Sequence, residues 1–394
     1  MKSFFSTHNH LIENMQPNLY RRYLMDKIDW SHRLIGIKGA RGVGKTTLLL
    51  QYAKENFEEC DNKCLYINLN HFYFTVCSLV EFARKFINAG GETLLVDQVF
   101  KYPEWSQELR KCYDLYPNLK IIFTGSSVMK LKETNVYIGD VVQSYNLYGF
   151  SFREFIGATS KIDLPFFTIN QIVNNHRTIS HDILKQVDIY SFFKDYIHHG
   201  YYPFFFEKRN YSENLLKTMN MMLEVDILYI QQIEQSYLTK IRKLFYLLAI
   251  QSPMTPNVSQ LSIECGISRA TVMNYLKYLQ DARLINMLYK TGCGFPKKPD
   301  VIYMNNTNIM FPTNRTNVER RALVETFFYN QINISGYANK GGRNDQFHVN
   351  DIYHFKIELE NKKQTKSHSR FVVADAIQTE ESNVIPLWLF GFLY

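Results

Sequence analysis

The sequence predicts an α/β protein in which a parallel sheet is followed by a helical module and two smaller modules. Apolar runs of strand length alternate with helical patterns through residues 34–147, an order typical of a doubly wound parallel sheet. From residue 151 the apolar residues recur at helical spacing instead. Beyond residue 240 short helices precede two strand-like runs, the order of a winged helix-turn-helix.

Length and composition indicate a folded protein of several domains. The chain has 394 residues, more than one hydrophobic core usually organises. Its hydrophobic fraction of 46% and charged fraction of 21% exclude a mainly disordered chain. The net charge of +8 favours anionic partners such as nucleic acid, although no block of Lys and Arg forms a basic tail.

Cysteine usage and hydropathy favour a cytoplasmic protein that does not enter a membrane. The six cysteines lack the CxxC spacing of a zinc site, so we expect them to be reduced. The N-terminus has no apolar segment typical of a signal peptide. The longest apolar stretch, residues 385–394, is too short to span a bilayer as a helix. We expect it to form a buried final strand or an interface tail.

The elements of the first two modules follow from their apolar periodicity. In the helical module Phe152, Phe155 and Ile156 recur at i, i+3 and i+4, and Pro203 interrupts the pattern later. The predicted strands of the parallel sheet are residues 34–37, 65–69, 93–96, 120–123 and 141–147.

The elements of the last two modules are shorter. Ser268 is a natural N-cap, so we expect the turn Gly266-Ile267-Ser268 to separate two helices. These helices are predicted at residues 257–265 and 269–282, and the strands of the following hairpin at residues 284–289 and 301–304. The last module is predicted to contain a helix at residues 318–332 and strands around residues 347–349, 353–359 and 371–374.

A phosphate-binding loop follows the first predicted strand. Gly39-Ala40-Arg41-Gly42-Val43-Gly44-Lys45-Thr46 satisfies G-x-x-x-x-G-K-[ST] and opens a predicted helix at residues 47–54. Glycines let backbone N–H groups wrap phosphate oxygens at a helix N-terminus. Lys45 is expected to reach the β- and γ-phosphates, and Thr46 to offer its hydroxyl to Mg²⁺. The candidate ATP-binding residues are Gly39, Gly42, Val43, Gly44, Lys45, Thr46 and Thr47.

A second oxygen ligand for Mg²⁺ is predicted at the end of the third strand. P-loop proteins take this ligand from an Asp that follows an apolar strand, and Thr93-Leu94-Leu95-Val96-Asp97 provides one. We therefore expect Asp97 and Thr46 to hold the metal.

Several motifs along the chain resemble a family of prokaryotic AAA-type P-loop ATPases. In that family a helical lid, a winged helix and a C-terminal domain similar to a restriction endonuclease follow the ATPase core. The matching stretches are Gly39 to Thr46, residues 94–105 with Asp-x-x-x-x-Tyr-Pro-x-Trp, Thr124-Gly125-Ser126-Ser127, Ser151-Phe152-Arg153-Glu154-Phe155, residues 200–203 and residues 385–394.

The resemblance and the periodicity together divide the chain into four expected domains. They are an ATPase core at residues 1–165, a helical lid at 166–240, a winged helix at 241–312 and an endonuclease-like module at 313–394. We expect a linker around residues 312–317, where polar residues show no apolar period.

The catalytic positions that the resemblance implies depart from the family pattern. Family members carry a Glu after the metal-binding Asp, and here the residue is Gln98, which cannot accept a proton from water. Ser126 or Thr124 would be the polar sensor of the γ-phosphate. Relatives also place an arginine in the segment that corresponds to residues 135–145, which contains none here. We therefore expect slow ATP hydrolysis, with a fully competent ATPase as the alternative.

The C-terminal module departs from its pattern in the same way. Nucleases of this fold hold Mg²⁺ with an Asp and a Glu on neighbouring strands. The resemblance places Gln346 and Lys356 at those positions. The nearby acids Asp345, Asp351, Glu358 and Glu360 are interpreted as a solvated strand face, so no nuclease activity is expected.

The partners are less sharply predicted than ATP. Arg269, Asn274 and Lys277 could lie outward on the second helix of the helix-turn-helix, with Lys290, Lys297 and Lys298 in the hairpin loop. That pattern suits salt-sensitive phosphate contacts with DNA. An ATP-gated DNA-binding switch is therefore a second hypothesis for the function. The winged helix could equally dock a protein partner or serve as a lid element, and a second copy of the chain is a further candidate partner.

Overall fold

A computed structural model describes residues 1–16, 19–58, 62–132, 134–207, 210–313, 318–342, 345–359, 369–376 and 383–394. The chain divides into two compact units, Met1–Gly149 and Phe150–Tyr394. The second unit therefore begins at residue 150, whereas the predicted ATPase core extends to residue 165. Most of the expected linker at residues 312–317, together with Cys60 and Glu360, lies outside the described residues.

The first unit contains the predicted parallel sheet. Its five strands lie in the order β2-β3-β4-β1-β5, and every neighbouring pair is parallel. The carboxyl ends of all the strands therefore meet at one edge, where the loop after β1 and the ends of β3 and β4 come together. The strands are β1 (Leu34–Gly39), β2 (Cys64–Asn68), β3 (Thr93–Asp97), β4 (Lys120–Ser126) and β5 (Gln143–Asn146). The α/β prediction for this part of the chain is confirmed.

Helices cover this sheet, including one at the N-terminus that was not predicted. In α1, Phe4 packs against Phe74 and Phe82, and His8 reaches the edge strand β2. The helices of this unit are α1 (Lys2–Glu13), α2 (Tyr23–Lys27), α3 (Lys45–Asn56), α4 (Leu79–Asn88) and α5 (Trp105–Leu115).

The second unit begins with the predicted helical region. Its first helix starts with a capping box in which Ser151 and Glu154 bond each other's backbone N–H groups. The helices are α6 (Phe152–Ser160), α7 (Ile169–Leu184), α8 (Ile189–Asp195) and α9 (Tyr211–Met221), and Tyr196–Gly200 and Met222–Tyr229 are π-helical. Among the described residues of the whole chain, none of the helices has the length and apolar character needed to cross a membrane.

A helix-turn-helix and a hairpin follow. Ser268 accepts a hydrogen bond from the Thr271 N–H, so its predicted N-cap role is confirmed. The elements are α10 (Leu238–Gln251), α11 (Val258–Cys265), α12 (Arg269–Asp281) and the antiparallel strands β6 (Ile285–Leu288) and β7 (Val301–Met304). The interpretation of this arrangement as a working winged helix stays a prediction.

The rest of the second unit is a helix packed with a mixed sheet of order β12-β11-β10-β9-β8. Its elements are α13 (Met310–Thr313), α14 (Arg320–Ser335), β8 (Ala338–Lys340), β9 (Phe347–Val349), β10 (Tyr353–Glu358), β11 (Arg370–Ala374) and β12 (Val384–Pro386). The final apolar stretch is buried as expected, but only Val384–Pro386 is strand, and Leu387–Phe392 forms a 3₁₀ helix.

Four buried polar residues after β7, Asn305-Asn306-Thr307-Asn308, connect the parts of this unit. The Asn308 amide donates to the carbonyl oxygens of Tyr196 and Ile197, at 3.0 and 2.9 Å. These carbonyls lie in a π-helical segment of the helical region. On the other side, the Asn305 carbonyl accepts from the Asn330 amide of α14 at 2.7 Å. The helical region, the hairpin and α14 therefore share one hydrogen-bonded core.

Candidate nucleotide-binding site

The loop between β1 and α3 has a backbone that requires glycine. Gly42 and Gly44 have φ angles of 82° and 96°, in the left-handed region that glycine enters without steric cost. At Gly39 an added Cβ would lie 2.3 Å from the Leu147 carbonyl oxygen, so no side chain fits there. The loop ends at Lys45, the first residue of α3. This gives the N–H groups at the start of α3 the setting that binds phosphate in other proteins.

Two cations hold the loop. The Lys45 ammonium donates to the carbonyl oxygens of Gly39 and Ala40, at 2.9 and 2.8 Å. The buried Arg22 guanidinium donates to the Val43 carbonyl at 2.9 Å and to the Tyr148 carbonyl at 2.8 Å. Arg22 was not among the candidate residues, since it lies well before the loop in sequence and belongs to no motif.

Asp97, at the end of β3, is buried beside the loop and is 1% exposed. Its Oδ2 accepts hydrogen bonds from the Thr46 hydroxyl at 2.7 Å and from the Tyr66 hydroxyl at 2.9 Å. Its Oδ1 accepts from the Thr124 hydroxyl and, at 3.1 Å, from the Gln98 N–H. The structure thus brings the two predicted metal ligands into direct contact, and it adds Tyr66, which no sequence motif indicated.

The environment of Tyr66 explains how it acts on Asp97. Burial first, and the negative charge of Asp97 second, raise the pKa of the Tyr66 phenol far above its usual range. The phenol therefore keeps its proton and remains a hydrogen-bond donor to the carboxylate.

Gln98 and Ser126, the two predicted catalytic residues, lie at this edge of the sheet. Gln98 has a φ of 56°, and its N–H donates to the Thr124 hydroxyl at 3.1 Å as well as to Asp97. This conformation is uncommon for a residue with a side chain and turns the backbone sharply after β3. Ser126 is buried and pairs in register with Gly39 of the loop, whereas Thr124 contacts Asp97.

The oxygens present suit a magnesium ion that is bound together with nucleotide phosphates. Mg²⁺ is usually held by one or two carboxylates, with phosphates and water supplying the other oxygens. Asp97 and Thr46 offer such a set, at a loop with phosphate-binding geometry. Across the described part of the chain, no cluster of three or more His, Cys, Asp and Glu side chains forms a metal site of its own.

Two arginines outside the segment of residues 135–145, which itself contains none, have contacts of their own. Arg110 of α5 reaches that segment, where it donates to Asp140 at 2.9 Å and to the Tyr137 carbonyl at 3.0 Å. Arg153, in the second unit, donates to the carbonyl oxygens of Leu164 and Tyr394, both at 3.2 Å. Arg153 therefore braces α6 against the buried final segment.

The positions aligned with nuclease ligands are engaged elsewhere. Gln346 donates to Glu325 at 2.9 Å and accepts from the Ile357 N–H at 2.7 Å, beside a cavity of about 670 Å³. Glu325 also accepts from Arg321 at 2.9 Å, so its charge is already paired. Lys356 instead forms an ion pair of 2.6 Å with Glu358. No described contact joins Gln346 to Lys356.

Solved structures of other proteins show only distant likeness. The Aeropyrum pernix ORC1 protein in complex with DNA has a TM-score of 0.31 and 9% identity, over 81% of this chain and 91% of that chain. For C. elegans PCH-2 the TM-score is 0.23 and the identity 16%, and the match covers 71% of this chain and 66% of that chain. For a Thermotoga maritima DNA polymerase III gamma subunit-related protein the TM-score is 0.25 and the identity 10%, and the match covers 71% of this chain and 97% of that chain. TM-scores this low support no inference about function.

Family models match two parts of the sequence. Residues 191–305 match a domain of unknown function, DUF8612, which spans parts of the predicted lid and winged helix rather than the terminal module. A search of curated proteins finds no match. Residues 31–156, which contain the loop, Asp97, Gln98 and Ser126, match the AAA domain. Residues 31–156 are therefore an AAA-type P-loop ATPase domain, of the kind that binds ATP.

Proposed function

We propose that this protein binds ATP together with Mg²⁺ through the loop from Gly39 to Thr46 and through Asp97, and hydrolyses it slowly. The observation that carries the proposal is the 2.7 Å hydrogen bond between Thr46 and Asp97. This bond supports the proposal because the two proposed oxygen ligands lie side by side at the start of α3. When bound, Mg²⁺ would neutralise negative charge on the phosphate oxygens.

Each residue has a separate task in this proposal. Backbone N–H groups from Gly42 to Thr47 face the phosphates, because the glycines permit the loop conformation. Lys45 can leave the Gly39 and Ala40 carbonyls, to which it donates here, for a phosphate oxygen. Ser126, paired with Gly39, lies at the loop and is the proposed sensor of the terminal phosphate.

Slow hydrolysis follows from the side chain of Gln98. Its backbone N–H is held by Asp97 and Thr124, and we propose that its half-buried carboxamide stands in for the Glu that would orient and deprotonate the attacking water. A carboxamide can orient water but cannot take its proton. Loss of a general base typically costs about 10²- to 10⁴-fold in rate. The protein would therefore remain ATP-bound for long periods.

The test is the substitution Gln98→Glu, which restores a carboxylate of nearly the same size. We expect the steady-state ATPase rate to rise at least about tenfold. Gln107→Glu is the matched control, since it adds the same charge on α5, where the Gln107 amide contacts the Tyr137 hydroxyl. A wild-type rate of roughly 1 s⁻¹ or more, the low end of ordinary enzymes, would show a competent ATPase instead. If neither form hydrolyses ATP, the lack of hydrolysis would instead be attributed to the absence of an arginine from residues 135–145.

DNA binding by the helix-turn-helix is a second candidate function, in which ATP would gate the contact. Its support is the exposure of Arg269 and Asn274 on α12 and of Lys297 and Lys298 in the hairpin loop. Lys277 is less suited to the role than we expected, because it forms a 2.8 Å ion pair with Asp281. Exposed cations at these places suit phosphate contacts.

A further inference from the structure

We propose that Tyr66 is a positioning residue for the magnesium site, which it serves by fixing the rotation of the Asp97 carboxylate. This inference rests on the proposed Mg²⁺-dependent binding of ATP. Tyr66 and Asp97 lie on the neighbouring parallel strands β2 and β3, where Tyr66 pairs with Leu95 and Asn68 pairs with Asp97. The Tyr66 hydroxyl reaches forward along the strands to Oδ2 at 2.9 Å.

The hydrogen bonds of Asp97 leave it little freedom to turn. A carboxylate has about four lone-pair directions. In Asp97 these receive Thr46 and Tyr66 at Oδ2, and Thr124 and the Gln98 N–H at Oδ1. Thr46 is itself a proposed metal ligand and must adjust when Mg²⁺ binds. Tyr66 is then the donor that continues to hold Oδ2 in place.

Tyr66 is in turn held from the opposite side. Its backbone N–H donates to Nδ1 of His8 in α1 at 3.1 Å, and its side chain is buried, with 7% exposure. Because both the backbone and the ring of Tyr66 are held in place, its hydroxyl can fix the orientation of the Asp97 carboxylate. Residues that hydrogen-bond metal ligands in this way typically change metal affinity by about 10- to 100-fold when they are removed.

The test compares Tyr66→Phe with wild type in two binding titrations. Phe keeps the buried ring and removes only the hydroxyl. The first titration measures ATP affinity in EDTA, and the second measures the Mg²⁺ concentration that gives half-maximal enhancement of ATP binding. We expect the ATP affinity in EDTA to stay unchanged and the half-maximal Mg²⁺ concentration to rise at least about tenfold. Tyr52→Phe is the matched control, because it also removes a buried hydroxyl from this unit, one that contacts Lys120.

The other outcomes separate the two proposals. If wild type responds to Mg²⁺ and Tyr66→Phe responds at the same concentration, Tyr66 has no positioning role. A lower half-maximal concentration would also overturn the inference, since the hydroxyl would then compete with the metal. Equal losses with and without Mg²⁺ would indicate a merely structural residue. If the ATP affinity of wild type does not depend on Mg²⁺ at all, the proposed function itself fails, and the role of Tyr66 with it.

Discussion

His8 accepts a 3.1 Å hydrogen bond at Nδ1 from the backbone N–H of Tyr66, and this bond ties α1 to the sheet. β2 is the last strand on its side of the sheet, so the Tyr66 N–H would otherwise have no strand partner there. Because Nδ1 accepts, the imidazole must be neutral, with its proton on Nε2. Burial of the ring lowers the pKa of His8 below its ordinary value, which favours this neutral form.

The first prediction is that His8 makes the first unit less stable in mild acid. The unfolded chain binds a proton at the ordinary histidine pKa near 6.5, and the folded chain binds it only at lower pH. The contribution of His8 is therefore complete above about pH 6.5 and is lost as the pH falls through that value toward the folded-state pKa.

Thermal unfolding at pH 7 and pH 5 would check this prediction. His8→Asn keeps an acceptor in place of Nδ1 but cannot titrate, so its melting temperature should fall less between the two pH values than that of wild type. His10→Asn, at an exposed position of the same helix, is the control and should behave as wild type. Equal falls for wild type and His8→Asn would contradict the prediction.

A second prediction concerns Lys45. Saturation with ATP at a hundredfold over Kd should stabilise the wild-type protein by about 2.7 kcal/mol. Lys45→Ala should lose most of this ATP-dependent shift in differential scanning fluorimetry, because the loop would lack its phosphate-binding ammonium. Lys54→Ala, at an exposed position near the end of α3, should keep the full shift. The site assignment is wrong if both variants respond to ATP like wild type.

The third prediction tests the hypothesis that the helix-turn-helix binds DNA. Binding of duplex DNA, followed by fluorescence anisotropy over a series of salt concentrations, should give a linear plot of log K against log salt. Replacing both Lys297 and Lys298 by Ala should reduce the slope by roughly two, as expected when two phosphate contacts are lost. The paired control replaces Lys185 and Lys217, which are exposed elsewhere in the same unit, and should leave the slope unchanged. Absence of duplex binding at low salt, with and without ATP, would rule out this function.

Local signals in the sequence predict much of this structure. The P-loop, the capping Ser268 and the apolar runs of the parallel sheet each depend on residues a few positions apart, and a pattern of neighbours is enough to find them. Asp97 was found because it ends such a run. Its partner Tyr66 was not, because their contact depends on how two strands 31 positions apart are paired and aligned.

Arg22 and the final segment show the same limit in different ways. Arg22 contacts carbonyl groups 126 and 127 positions away, at Tyr148 and Gly149, and backbone acceptors leave no trace in side-chain patterns. The apolar stretch at residues 385–394 predicts burial correctly. It does not distinguish a strand from a 3₁₀ helix, because a segment that is buried on all sides shows no periodicity.

The buried run Asn305-Asn306-Thr307-Asn308 has a consequence for how the second unit can be dissected. Asn308 accepts from the Tyr201 N–H at 2.8 Å and from the Tyr211 hydroxyl at 2.6 Å, besides its bonds to the π-helical carbonyls. A fragment that ended before this run would bury carbonyl and hydroxyl groups without partners, at about 1–3 kcal/mol each. Neither the helical region nor the hairpin would therefore fold stably as an isolated fragment. We expect residues 150–394 to unfold in a single cooperative thermal transition.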